Sequence, residues 1–377
     1  MDISQEELNQ LLNSGETLDL SGRDLRDAIL RNAELERANL TNTNLENAKL
    51  QNANLMGADL SNATLIDITA EHAYFMSAVL EGADLEGANL GGAYLIRANL
   101  KNSSLKNAFL RGADLMVCKL TDANLENAVL QDAFLKLANL EKANLQFAKL
   151  NAACLDGASL RGANLNNANL EGTSLEGASL RRATLHEANL TSAKLQGAKM
   201  ELAELNKAIL KGANLIGANL QGANLEEADF ERADLERADL KNAKMRLTRL
   251  PAANLIATNL RNAKMMGATL TRAYLVEAIL PRAALANANI KHANLERSNL
   301  QYTNFESADL RLTSLNQANL QNAVLVRANL ERADFENADL SGANLTEANL
   351  VGANLAGAKL EGTILTNAIM PNGKRHD

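Results

Sequence analysis

Ala213-Asn214-Leu215-Ile216-Gly217-Ala218-Asn219-Leu220-Gln221-Gly222 spells one five-residue unit twice: a small residue, an amide, a leucine, then two residues ending in glycine. Around it, every fifth residue from Leu20 to Met370 is apolar, with no phase slip. Leucine holds nearly all of these positions; Ala70, Phe75, Met200, Phe230, Met245, Met265, Ile290, Phe305, Phe335 and Met370 hold the rest. Two residues ahead of each sits a small side chain, usually Ala, with Thr43, Ser103, Cys118, Thr173, Thr248 and Thr258 as substitutes. The residue between is often Asn or Asp, as in Ala58-Asp59-Leu60.

A helix cannot use this period. At about 100° per residue, successive leucines drift by about 140° and cover every face. Two apolar positions spaced by two, with a polar one between, instead describe a very short strand that shows one face inward. The other two residues must then turn a corner, so the chain coils, and each layer buries its Leu and Ala only when neighbouring layers cover it.

These residues resemble the pentapeptide-repeat family, whose consensus is A(D/N)LXX, over roughly residues 18–370. The resemblance implies an all-β solenoid: a right-handed quadrilateral parallel β-helix with four pentapeptides per coil, Leu and Ala inward and the other three positions outward. About 17–18 coils would then stack at about 4.8 Å, over roughly 85 Å. The Ser21-Gly22-Arg23-Asp24-Leu25 start and the Met370-Pro371-Asn372-Gly373 end look like those of cyanobacterial members.

The predicted organisation is a capping helix within residues 1–15, the β-helix over 16–370, and a turn and charged tail over 371–377. Ser4 and Glu7 form an S-x-x-E capping box, Ile3, Leu8, Leu11 and Leu12 can face the first coil, and Gly15 can end the helix. The other end is less protected, which raises end-to-end dimerisation there. One irregularity, Ile66-Asp67-Ile68-Thr69-Ala70, places the large side chain in the small slot and the small one in the large slot. We read it as a swap that conserves core volume, with a local bulge as the alternative.

Bulk composition agrees with a repeat array. Hydrophobic residues make up 46% of the 377, yet aromatics are 3% and tryptophan is absent, so the interior is built from Leu and Ala. No apolar run reaches the roughly 18 residues needed to span a bilayer, and the acidic start lacks the basic segment of a secretory leader. The expected compartment is the cytoplasm, with no membrane partner. His72, His186, His292 and His376 are too scattered to hold a metal, and Cys118 and Cys154 do not read as a disulfide framework. No catalytic site, metal or cofactor is expected.

Function should therefore lie in the outward positions, where residues 20 apart share a column. One column departs from polarity: Tyr74, Tyr94 and Phe134, with Asp114 between them, beside Met56, Met76, Ile96 and Met116, and next to Val117 and Leu137. Tyr74, Met76, Tyr94, Ile96, Met116 and Phe134 form the candidate partner-binding surface, since contiguous apolar surface often marks an interaction site. The alternative is a structural ladder of stacked side chains. A second candidate is electrostatic. An acidic belt from Glu226 to Asp239 precedes Lys241, Lys244, Arg261 and Lys264, a set suited to docking or steering, or to a solvated surface of mixed sign.

The reading that follows is a non-enzymatic interaction scaffold or regulator with a protein partner, with dimerisation through the apolar column or the C-terminal end as a further expectation. The family resemblance supplies the alternative, since some members imitate duplex DNA and bind type II topoisomerases, conferring quinolone resistance. Mimicry needs sustained negative potential, whereas residues 241–300 hold 10 basic and 2 acidic side chains within a chain of net charge -7. Nucleic acid itself is not expected as a partner, because the basic residues lack the interleaved aromatics of strand-binding surfaces.

Overall fold

The computed structural model describes residues 2–13 and 17–377. Two compact units divide the chain, Met1–Asn189 and Leu190–Asp377. In each, the same right-handed, four-sided parallel β-helix is built from single-residue bridges that recur twenty residues apart, as in Asp19↔Asn39↔Asp59 of the first unit and Asn214↔Asp234↔Asn254 of the second. Leu and Ala line the interior at almost complete burial, with Phe75, Phe230, Phe305 and Phe335 as the largest enclosed side chains.

Tracing the backbone hydrogen bonds through one pentapeptide explains its consensus. Leu20 N–H donates to Asn39 O (2.8 Å), Gly22 N–H to Thr41 O (2.8 Å), and Asn44 N–H to Arg23 O (2.9 Å), all between coils. Arg23 N–H closes the corner on Leu20 O at 3.2 Å. With φ positive only at the second central residue (+67° at Gly22), this corner is of the type II class. Only the first corner residue has an N–H with no backbone acceptor, and the Asn or Asp two residues earlier accepts it: Asp19 Oδ1 from Ser21 N–H (3.1 Å), Asn214 Oδ1 from Ile216 N–H (3.1 Å). The polar slot thus meets a backbone need, since an N–H left without a partner on a packed surface costs stability.

Some exceptions meet the same need in another way. Where Ser174 fills the slot and cannot reach, Asp156 of the coil below accepts from Glu176 N–H at 3.1 Å. All three prolines of the chain, Pro251, Pro281 and Pro371, are first corner residues, and each follows a slot that is not Asn or Asp: Arg249, Ile279 and Ile369. Proline brings no N–H, so no acceptor is required, and its fixed φ suits that corner position. Threonines in the inward small slot are satisfied as well, their hydroxyls donating to a backbone carbonyl of the adjacent coil, as Thr173 does to Leu150 O at 2.8 Å and Thr313 to Ile290 O at 3.0 Å.

At Ile68 and Ala70 the swap is accommodated without a bulge. Both side chains are fully buried, Lys49↔Thr69↔Asn89 keeps its frame, and the strain is confined to a lengthened corner bond, Ile68 N–H to Leu65 O at 3.4 Å.

Helix α1, Gln5–Leu12, begins with the reciprocal Ser4–Glu7 capping box and ends at Asn13. Gly15, expected to end it, lies outside the described residues. Gln5, Leu8 and Leu12 share the stripe that meets the first coil; Leu8 is fully buried and Ile3 and Leu12 are half-buried. Leu11 does not face the coil as expected but is exposed, because it falls on the flank of that stripe in so short a helix. The segment also caps the open strand edge with side chains. Gln5 Oε1 accepts from Ile29 N–H (2.9 Å) while its Nε2 donates to Ile29 O (3.0 Å), and Asp2 Oδ2 accepts from Asp24 N–H (2.8 Å). At the far end, residues after Pro371 turn back so that Arg375 pairs antiparallel with Ile369, and His376 N–H donates to Ala368 O at 2.7 Å. That hairpin covers one side of the last coil; Leu360 and Ile364 stay exposed.

Candidate functional site

In the first unit, one outward column carries Tyr74, Tyr94, Asp114 and Phe134, joined by consecutive bridges. The Tyr74 and Tyr94 rings stack with centroids 5.1 Å apart and planes 7° from parallel, a separation set by the coil repeat itself. They remain 40% and 39% exposed, and Phe134 is 51% exposed, so stacking leaves much of their surface in water. Phe134 is not in the stack: Asp114 intervenes, its Oδ1 accepting from Met116 N–H at 3.1 Å as the corner requires. Met76, Ile96 and Met116 occupy the adjoining corner and are half-buried.

Two residues outside the candidate set sharpen this surface. Val117 and Leu137 follow on the same corner, 46% and 57% exposed, and both hold left-handed backbone at φ +60° and +59°. That region suits Gly or Asn and is unfavourable for a branched side chain by roughly 1–2 kcal/mol. Leu137 moreover leans across the next coil, where a Cβ on Gly157 would lie 2.8 Å from its Cδ2. The sequence signal was a branched apolar residue in a slot where Gly and Asn predominate.

In the second unit, Lys244 and Lys264 bridge directly, and Lys241 and Arg261 occupy successive positions of one corner, where Asn242 N–H donates to Arg261 O at 2.9 Å. The acidic belt before them is partly neutralised. Lys211 reaches Asp229 and Glu231 at 3.4 and 3.3 Å, Arg249 reaches Asp229 at 3.4 Å, and Arg237 reaches Glu236 at 3.5 Å. Glu231, then Asp229, hold the Lys211 ammonium above its ordinary range.

Among the described residues, no group of three or more His, Cys, Asp or Glu is placed to hold a metal ion. Cys118 and Cys154 are free thiols. Burial pushes the Cys118 thiol up to about 12, and its Sγ contacts Leu95 O at 2.7 Å, so it behaves as a small core residue. Among the described residues, no helix is long and apolar enough to cross a membrane.

Comparison with known proteins gives the following. The family model described as Pentapeptide repeats (8 copies) matches in successive segments from residue 19 to residue 372. No curated protein matches the chain. Among solved structures, HetL, a pentapeptide-repeat protein involved in heterocyst differentiation regulation in the cyanobacterium Nostoc sp. strain PCC 7120, is 35% identical. That alignment covers 62% of this chain and 91% of HetL at a TM-score of 0.29. Rfr23 from the cyanobacterium Cyanothece 51142 is 44% identical over 25% of this chain and 64% of its own, at a TM-score of 0.24. QnrB1, a plasmid-mediated fluoroquinolone resistance protein, is 19% identical over 46% of this chain and 87% of its own, at a TM-score of 0.33.

Proposed function

We propose, for a chain that belongs to the pentapeptide-repeat family, that it is a non-enzymatic scaffold that docks a protein partner on the apolar surface around Tyr74, Tyr94 and Phe134. One observation carries this reading: exposed Val117 and Leu137 extend the exposed aromatic column into contiguous apolar surface. A partner seated there would take this apolar surface out of water. The two free thiols suit a reducing compartment such as the cytoplasm. Self-association is a second way to cover apolar surface, through this column or through the last coil at Leu360 and Ile364.

The test is co-precipitation from the native host with the natural chain and with Tyr94→Ser/Phe134→Ser, followed by binding of the purified captured protein. Both sites are outward, so the variant should melt within about 2 °C of the natural chain, while the captured protein should be lost. Equal capture by both chains would remove the apolar column from consideration. Mimicry of duplex DNA toward a type II topoisomerase is separated by a supercoiling assay with and without a fluoroquinolone, in which our reading expects no protection.

A further inference from the structure

Residues 241–300 carry ten cationic side chains against two carboxylates. Arg297 takes both of those acids, Glu277 at 3.6 Å and Glu296 at 3.5 Å, and Arg249 turns to Asp229. Lys241, Lys244, Arg261, Lys264 and Arg282 have no ion pair among the described residues. Elsewhere in the same unit Arg311 pairs with Asp309, Arg327 with Glu306, and Lys211 with two acids. Part of the set in residues 241–300 converges.

Lys241, Arg261 and Arg282 line one groove of about 390 Å³ together with Asn262, Gln301 and Tyr302. Its wall is a single corner followed through successive coils, since Asn242 N–H donates to Arg261 O, Asn262 N–H to Pro281 O (3.1 Å) and Arg282 N–H to Gln301 O (3.0 Å). Coils stack at about 4.8 Å, so the backbones that carry Lys241 and Arg261 lie about that far apart, and no carboxylate lines the groove with them. The Arg282 guanidinium lies 5.7 Å over the Tyr302 ring, a cation–π contact that holds its plane in place. The neighbouring amides already have partners, Asn262 Nδ2 on Asn242 Oδ1 (3.1 Å) and Gln301 Nε2 on Gln321 Oε1 (2.8 Å), which leaves the cations as unspent donors.

We propose that this groove is an anion site for a diphosphate group, either free or carried by a nucleoside. One carboxylate would leave most of the converging charge uncompensated, whereas a diphosphate brings several negative charges over the short span that the three cations share. Guanidinium forks match phosphate oxygens in geometry as well as sign. The site is independent of the apolar surface in the first unit, and neither depends on the other.

Calorimetric titration of the full chain with inorganic pyrophosphate at low ionic strength tests it, with ADP and AMP as further arms. Saturable binding at one site is expected, weakened about tenfold or more in Arg261→Gln/Arg282→Gln. Arg272→Gln/Lys291→Gln makes the same change in net charge outside this groove and should leave the affinity within about twofold. ADP binding more tightly than pyrophosphate would identify a nucleotide as the source, and equal binding a free diphosphate; both support the site. Absence of saturation by about 10 mM pyrophosphate, equal loss in the two double variants, or AMP binding as tightly as pyrophosphate would each overturn it. All four substituted side chains point outward, and circular dichroism melting confirms that the variants are folded.

Discussion

Asparagine in the slot before leucine is there for an N–H two residues further on. The sequence marks the slot only as one where Asn and Asp recur. Some do stack, as Asn164 Nδ2 does on Asn144 Oδ1 at 3.0 Å, but the recurring bond is to the corner backbone. The acceptor's target lies within the turn, which periodicity alone cannot expose; the three prolines were its only trace, each a corner residue that needs no acceptor. The rule predicts a rescue. Asn214→Ala should lower stability by about 1 kcal/mol, because Ile216 N–H loses its only partner. Adding Ile216→Pro removes that N–H, so Asn214→Ala/Ile216→Pro should regain most of the loss in urea unfolding. A double variant less stable than Asn214→Ala would show that the slot does something else.

At the scale of one side and its corner, the inward positions were legible because packing dictates them, and the outward columns because the coil takes twenty residues. Counting alone placed Tyr94 over Tyr74. What the sequence did not carry was the backbone beneath Val117 and Leu137, since a corner glycine in the consensus reads as a preference and becomes a positive φ only once the turn type is known. Nor could it show that Gln5 would serve Ile29 as a strand substitute, which depends on where α1 docks. The Leu137 corner supports a direct test. Gly157→Ala combines a Cβ 2.8 Å from Leu137 Cδ2 with φ +65°, and should cost more than the roughly 1 kcal/mol of left-handed strain alone. In a Leu137→Ala background the steric part disappears and only the strain should remain, so a double-mutant cycle should give a coupling of about 0.5 kcal/mol or more. Zero coupling would mean that Leu137 does not lie over that corner in solution.

Across the whole molecule the informative quantity is where charge falls, because a net charge of -7 hides an acidic start and a basic stretch. Residues 1–100 carry 16 acidic and 6 basic side chains, against 2 and 10 in residues 241–300. Copies of such a chain should attract one another when unlike stretches meet, and this attraction differs from apolar association in its response to salt. Electrostatic attraction is screened within about 10 Å at 0.1 M ionic strength and about 3 Å at 1 M. Burial of the Tyr94 and Phe134 surface is instead strengthened by sulfate. Light scattering of the concentrated chain at low ionic strength should therefore report an apparent mass above the monomer that falls as sodium chloride is added. Lys241→Gln/Lys244→Gln/Arg261→Gln/Lys264→Gln should scatter as a monomer throughout, because it removes four of the ten cations of that stretch, and none of those four has an ion pair among the described residues. An apparent mass that instead rises with sulfate and disappears in Tyr94→Ser/Phe134→Ser would assign self-association to the apolar column and leave the basic stretch no part in it.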